Sequence, residues 1–256
     1  MTRLVKVGLC GFTMGAARYP WHFPVVEVQQ TFYQPPAAGV ITRWRVQMPA
    51  SFEFTLKAWM LITHPAKSPT YRRLRRALSP DEAAGAGSFQ DTAIVDEAWR
   101  VSLEAARILR ATAILFQCPA SFRPTPDNVF RMRRFFARIE RPPGVRLLFE
   151  PRGPAWSPEI VRPIVDELGL VHVVDPFVGP TVSTDLVYYR LHGITGSRHI
   201  YSDAELARLA AMLPSHGECY VMFNNIPRIG DAERFKAVVG LPASHEPAVI
   251  PRVRSA

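Results

Sequence analysis

Short blocks rich in Val, Ile, Leu and Phe recur along the whole chain, and between most of them the apolar positions switch to the three-and-four spacing of a helix. Eight blocks read as strands: Leu4–Leu9, Val25–Thr31, Phe52–Trp59, Thr112–Gln117, Arg146–Glu150, Leu170–Asp175, Leu186–His192 and Cys219–Asn224. Helical spacing is found at about 37–48, 91–110, 126–140, 157–168, 203–213 and 230–239. Thr125-Pro126 and Ser157-Pro158 place proline at a first helical position, and Ser202-Asp203 leads into an Ala/Leu-rich run. Strands alternating with helices predict an α/β chain around a parallel sheet. The same pattern admits an open doubly wound sheet, but eight units in succession favour a (β/α)₈ TIM-type barrel.

Two stretches break the alternation. FTMGAARYPWHFP (12–24) has Gly, Pro and aromatics but no helical stripe, so the first crossover helix is expected to be missing or reduced. The segment 64–90 carries Pro65, Pro69, Pro80, Gly85 and Gly87 around YRRLRRAL, and is too long for an ordinary connection. It reads as a lid with a short helix or as a mobile excursion after strand three. Residues 1–240 are thus expected to form one barrel domain, with 241–256 an irregular C-terminal tail.

Barrel strands are covered outside and filled inside, so a polar residue within one needs a reason. Parity supplies it. Glu27, Gln29, Thr31 and Tyr33 share one face of strand two, as do Thr55, Lys57 and Trp59 in strand three, Glu150 and Arg152 in strand five, and Arg190 and His192 in strand seven. The alternate positions are apolar or aromatic. Polar groups are therefore expected inside the barrel, and Gln117, Asp175 and Asn224-Asn225 close strands four, six and eight at the C-terminal end, where barrel enzymes build their sites. Lys57, Arg152 and Arg190 against Glu27, Glu150 and Asp175 would equally make a self-satisfied ion network.

Composition adds solubility and charge. The chain of 256 residues is 48% hydrophobic and 21% charged, with a formal net charge of +9. Of 31 basic residues only Lys6, Lys57, Lys67 and Lys236 are lysines, and the rest are arginine. Such a field attracts nucleic acid or phosphorylated molecules, or reflects base composition or growth temperature. Cys10, Cys118 and Cys219, odd in number and far apart, form neither a disulfide framework nor a metal knuckle. With no cleavage motif and no membrane-length apolar run, a soluble cytoplasmic protein without a membrane partner is expected.

Several chemistries are open to these residues. Glu27, Lys57, Glu150 and His192 are the candidate catalytic groups, as carboxylate acid/base pair, Schiff-base amine or imidazole acid/base. Lys57 with Glu27 on the adjacent strand also suggests a plain ion pair. Tyr33, His64, Gln117, Arg152, Asp175, Arg190, Gly193, Tyr201, Asn224 and Asn225 are the candidate substrate-binding residues. The loop HGITGSRH (192–199) offers glycines beside Arg198, a place where barrels hold phosphate. No HxH, HExxH or Cys/His spacing is present, so no metal site is expected and the cofactor is unknown. Ser121 and Ser183 lack a G-x-S-x-G context, and the Arg/aromatic clusters YRRLRRAL and RMRRFFARIERPPGVR could track a phosphate backbone or form a solvated helix face.

The ordered set VGLCGF (7–12), VEVQQTFY (26–33), FTLKAWMLITH (54–64), ILFQCPASFRP (114–124), FEPRGPAW (149–156), VVDP (173–176), YYRLHG (188–193), YSDAEL (201–206) and YVMFNN (220–225) resembles the domain-of-unknown-function 72 family, the YecE-like proteins. The resemblance runs collinearly from about residue 5 to 239 and implies a (β/α)₈ barrel, but no reaction. It places the family's motif positions on Glu27, Thr31, Phe32, Tyr33, Lys57, His64, Gln117, Pro119, Glu150, Arg152, Arg190, His192, Gly193, Tyr201, Asn224 and Asn225. The chain departs from the pattern at TMGAARYPWHFP, where a helix is usual, at Cys10, usually Ser or Thr, and at Cys118, usually Leu. The functional expectation is an enzyme of hydrolase or lyase type working by acid/base chemistry on a small anionic or phosphorylated substrate. The alternatives are a nucleic-acid-binding or processing protein and a non-catalytic ligand-binding barrel.

Overall fold

All eight apolar blocks form strands, each hydrogen-bonded in parallel to the next, with the last closing on the first. In the computed structural model, which describes residues 3–244, these are β1 (Leu4–Cys10), β2 (Val25–Val28), β3 (Glu53–Lys57), β4 (Ala113–Gln117), β5 (Arg146–Glu150), β6 (Val171–Val174), β7 (Leu186–Leu191) and β8 (Glu218–Phe223). The helices are α1 (Gln30–Tyr33), α2 (Ala38–Val46), α3 (Pro80–Gly85), α4 (Ala93–Leu109), α5 (Pro126–Arg138), α6 (Pro158–Leu168), α7 (Asp203–Ala211) and α8 (Arg228–Val238). The chain is a closed (β/α)₈ barrel. Most of the expected tail, from residue 245 onward, lies outside the described residues. Among the described residues no helix is long and apolar enough to cross a membrane.

Two crossovers lack a helix. The first is reduced, as its composition predicts, to one 3₁₀ turn at Tyr19–Trp21. The second, the short connection 175–185 between β6 and β7, has Pro176, Gly179 and Pro180 in place of a helical stripe. The long excursion holds a 3₁₀ turn at Pro69–Arg73 and α3, whose start is fixed by a capping box between Ser79 and Glu82.

Polar parity does mark the inside of the barrel. Cys10, Val25, Leu115, Leu148, Val173, Tyr188, Tyr220 and Met222 fill it as one cluster, while the alternate positions, such as Phe54, Leu56, Leu147 and Phe149, pack outward under the helices. Lys6, ion-paired with Glu53 and Glu218, closes the N-terminal end. Strand two is shorter than its sequence suggests. It ends at Val28 because Gln30–Tyr33 turns into α1, so Thr31 and Tyr33 do not share the interior face with Glu27. The Thr31 hydroxyl instead donates to the Val28 and Lys57 carbonyls at 3.1 and 2.7 Å, tying α1 to the end of β3. Trp59 is likewise past its strand.

The excursion is fastened back onto the chain just after β3. Gly87 N–H donates to Leu61 O (2.8 Å), Ser88 N–H to Thr63 O (3.2 Å) and Phe89 N–H to Ile62 O (2.9 Å), and the Phe89 ring lies among Phe116, Phe122, Phe135 and Phe136. Gly87 is required twice over: its φ is +84°, and an added Cβ would sit 2.3 Å from the His64 carbonyl carbon and oxygen. Gly144, at φ +75°, has open space around the same position. Gly87→Ala is therefore expected to destabilise the fold by about 3 kcal/mol or more, through backbone strain plus overpacking, and Gly144→Ala by about 1 kcal/mol through strain alone. Urea denaturation of the two variants checks the difference.

Candidate functional site

At the C-terminal end of the barrel interior, one guanidinium sits between two carboxylates. Arg190, on β7, is fully buried. Its Nε and one terminal nitrogen donate to both oxygens of Glu27 on β2 (3.1 and 2.8 Å), and its other terminal nitrogen donates to Glu150 on β5 at 2.6 Å and to Gln117 Oε1 on β4 at 3.1 Å. Glu27 also accepts from the Tyr188 hydroxyl at 2.9 Å and from the Gln29 amide. Burial alone would push the Glu150 carboxyl up, but the charges of Arg190, Arg152, His192 and Lys57 outweigh it and hold the group at about 2. It is a permanent anion.

Lys57, at the end of β3, receives no carboxylate. The ion pair with Glu27 that adjacency suggests does not form, because Glu27 pairs across the sheet register with Thr55 and gives both oxygens to Arg190. The Lys57 ammonium group instead donates to Gln117 Oε1 at 3.0 Å and lies 3.7 Å above the Phe32 ring. Burial, and then the positive charge of Arg190, bring its pKa from 10.5 down to about 7. At neutral pH a large fraction of this amine carries a lone pair.

A second group forms at the rim. Arg152 Nη2 lies 2.5 Å from Glu150 Oε1 and donates to His192 Nε2 at 2.8 Å. A guanidinium cannot accept, so Nε2 of His192 is the acceptor and the ring proton resides on Nδ1. That nitrogen is 3.4 Å from Asp175 Oδ2, at an angle that leaves it without a hydrogen bond, while the Asp175 carboxylate accepts from the His192 backbone N–H at 2.9 Å. The Arg152 Nε is also buried without a partner.

Two cavities open there and share Arg152 and His192. One, of about 510 Å³, is lined by Gln29, Phe32, Tyr33, Lys57, Thr70, Gln117, Cys118, Arg190 and Asn224 among others. The other, of about 730 Å³, lies over β5 and β6 between Trp156, the start of α6, His172, Asp175, Gly193 and the helix-free connection with Val178 and Gly179. Burial lowers the His172 pKa to about 4, so this ring is neutral, accepting from Val182 N–H at 3.3 Å.

The barrel therefore gathers Glu27, Lys57, Gln117, Glu150, Arg152, Asp175, Arg190, His192 and Asn224 at one end, with Tyr33 at the edge. Arg190 is part of the smaller cavity's lining, with Glu27 bound to it and outside that lining, and Gly193 lines the larger cavity. His64, Tyr201 and Asn225 lie outside both cavities. His64 packs edge-on behind Phe32 at 5.0 Å, hydrogen-bonded to Thr63 Oγ1, and burial with the charges of Lys57 and Arg152 lowers it to about 4. Tyr201 is buried against Phe177 and Phe223, and its hydroxyl accepts from Gly193 N–H at 2.9 Å, so it positions the loop rather than touching a ligand. Gly193 needs to be glycine, since φ is +91° and a Cβ would meet Gly196 O at 2.2 Å. Asn225 is turned away from its neighbour Asn224 and donates to Asp231 and the His199 carbonyl. Thr70, Cys118 and His172 were not among the expected site residues; Gln29, marked by parity, and Phe32, marked by the resemblance, line the smaller cavity although neither was expected to bind substrate. Thr70 reaches the mouth only because the excursion folds back.

Among the described residues no group of three or more His, Cys, Asp or Glu is arranged to hold a metal ion. Six arginines of the outer helices are engaged with acids: Arg100 with Glu97, Arg107 with Glu140, Arg133 with Glu167, Arg134 with Asp91, Arg138 with Asp96 and Arg234 with Asp203.

The fold has counterparts among known structures. A DUF72 family protein from Enterococcus faecalis V583 superposes with a TM-score of 0.73 at 19% identity, over 95% of this chain and 99% of that one. A DUF72 family protein from Thermotoga maritima MSB8 gives 0.66 at 21% identity, over 93% and 99%. Endonuclease IV from Thermus thermophilus gives 0.53 at 11% identity, over 94% and 99%, a likeness of fold alone. The curated proteins contain no match to the chain. A family model described as protein of unknown function DUF72 matches residues 16–251. The chain is a member of the DUF72 family of barrel proteins.

Proposed function

We propose that the chain is an enzyme of hydrolase or lyase type that performs acid/base chemistry on a small anionic substrate at the barrel mouth. The observation that carries this reading is Lys57: a buried amine lining an open cavity, with every nearby carboxylate already taken by arginine and its pKa brought to about 7. A structural lysine would be paired, as Lys6 and Lys236 are. Arg152, with 35% of its side chain exposed and facing both cavities, is the cation that receives the substrate's anionic group. When it does so it gives up His192 Nε2, whose lone pair then serves as a general base with Asp175 behind the ring. Glu27 and Glu150 hold the arginines in place and do not exchange protons. The paired arginines on the outer helices give the nucleic-acid reading less support, since their fields are largely cancelled at close range.

A thermal-shift screen of small phosphates and carboxylates tests the substrate class. A subset is expected to raise the melting temperature of the wild type by several degrees, and Arg152→Ala to abolish the effect. If no anion stabilises the protein, or if Arg152→Ala responds like the wild type, the reading is wrong.

The state of Lys57 is tested through stability. A lysine whose folded pKa lies below its unfolded value destabilises the fold while charged, fully at pH below about 7 and less as the pH rises toward 10.5. Lys57→Met is therefore expected to be more stable than the wild type, with the gap narrowing by about 2 kcal/mol between about pH 6 and about pH 9. Denaturant titrations of both proteins at the two pH values measure it.

A further inference from the structure

Resting on the anionic-substrate reading, a narrower assignment follows from which nucleophiles face the smaller cavity. Its reactive candidates are the Lys57 amine, the Cys118 thiol and the hydroxyls of Tyr33 and Thr70. Cys118 is fully buried, and burial together with the charge of Glu150 keeps it a thiol. Neither hydroxyl has a base placed beside it by any hydrogen bond at the mouth. The amine remains. It is held at one point by Gln117 Oε1, over the face of Phe32, with the Arg190 guanidinium beneath. The ring face and the amide oxygen favour the ammonium ion, but burial and Arg190 outweigh them, and the amine lines the cavity.

The rest of the lining fits one kind of molecule. Gln29, Gln117 and Asn224 present neutral amides, which suit hydroxyl groups, and Arg152 supplies the charge at the opposite edge. We infer that Lys57 forms an imine with the carbonyl carbon of a small hydroxylated aldehyde or ketone whose single anionic group is held by Arg152. The amine lone pair attacks the carbonyl carbon, and the π pair moves to oxygen. Both amine protons leave with that oxygen as one molecule of water, and the C=N bond forms; solvent at the open mouth relays the protons. The imine, protonated, then withdraws electrons from the adjacent carbon, where His192 is the base available to remove a proton.

The test is reductive trapping in the full-length protein with borohydride, using glycolaldehyde phosphate and pyruvate as anionic carbonyl probes and glycolaldehyde as the neutral one. The chain has only four lysines, and each of the other three serves as a control: Lys67 is exposed, while Lys6 and Lys236 are engaged by carboxylates. Peptide mapping is expected to show one reduced adduct concentrated at Lys57 with at least one anionic probe, several-fold above that with glycolaldehyde and lost in Arg152→Ala. Labelling of Lys57 no faster than that of Lys67 overturns the inference. Glycerol phosphate and lactate, which lack the carbonyl, separate the two levels of the assignment. If they stabilise the wild type as much as their carbonyl counterparts and no adduct forms, the imine is wrong while the anion site stands; if no probe of either kind binds, both fall.

Discussion

A guanidinium with no access to water must be matched by anions, and in this barrel that requirement organises the C-terminal end of the interior. The penalty for burying an ion is several kcal/mol even after relaxation, and removing one partner from such a set costs about 3–5 kcal/mol. Arg190 meets it by binding Glu27 with two hydrogen bonds and Glu150 with a third, so side chains from β2, β5 and β7 converge on one point. Since a slip of one residue in any of these strands would turn its charged side chain to the outer face, the network also specifies register.

The same pairing determines what is left over. Two carboxylates satisfy one arginine inside the barrel, and Glu150 extends its second oxygen to Arg152 at the rim. No anion remains for Lys57. Its position next to Arg190 is then doubly unfavourable for a charge, through desolvation and through repulsion, and the amine is displaced toward neutrality. A self-satisfied ion network and a reactive site are therefore not competing descriptions. The network exists, and by closing without Lys57 it prepares the one group that it excludes.

Much of this was legible in the chain. Strand number, barrel class and interior face followed from periodicity, because in strands two, three, five and seven the polar residues are spaced by two along one face. What parity could not show was where a strand stops. Glu27, Gln29, Thr31 and Tyr33 alternate without a break, yet the chain turns into α1 after Gln29, with the Thr31 hydroxyl placed against the Val28 and Lys57 carbonyls at the ends of β2 and β3. Nor could spacing assign partners. Lys57 and Glu27 are neighbours by strand order, but a planar fork matched to a carboxylate gives two hydrogen bonds where an ammonium gives one, and Arg190 takes the site. Tyr201 was expected from the resemblance and Asn225 from its place at the end of strand eight, but each holds the loop after β7, Tyr201 at Gly193 N–H and Asn225 at the His199 carbonyl.

Charge, which by amount suggests a polyanionic partner, separates by location into two populations. On α4, α5 and α8 the arginines face acids on the same or the next helix, in exposed pairs worth at most about 1 kcal/mol each and screened within about 10 Å at moderate salt. Such pairs shape the surface but direct nothing toward the barrel. At the mouth there are few cations, yet they lie where solvent is partly excluded and where one of them, Arg152, spans two cavities with a buried nitrogen still unpartnered. The connection between β6 and β7, which carries no helix, borders the larger cavity, and the rim arginine is part of that cavity's lining. On the proposed reading, a small anion entering at that point meets Arg152, which exchanges Glu150 and His192 for it, and the Lys57 amine lines the adjoining cavity.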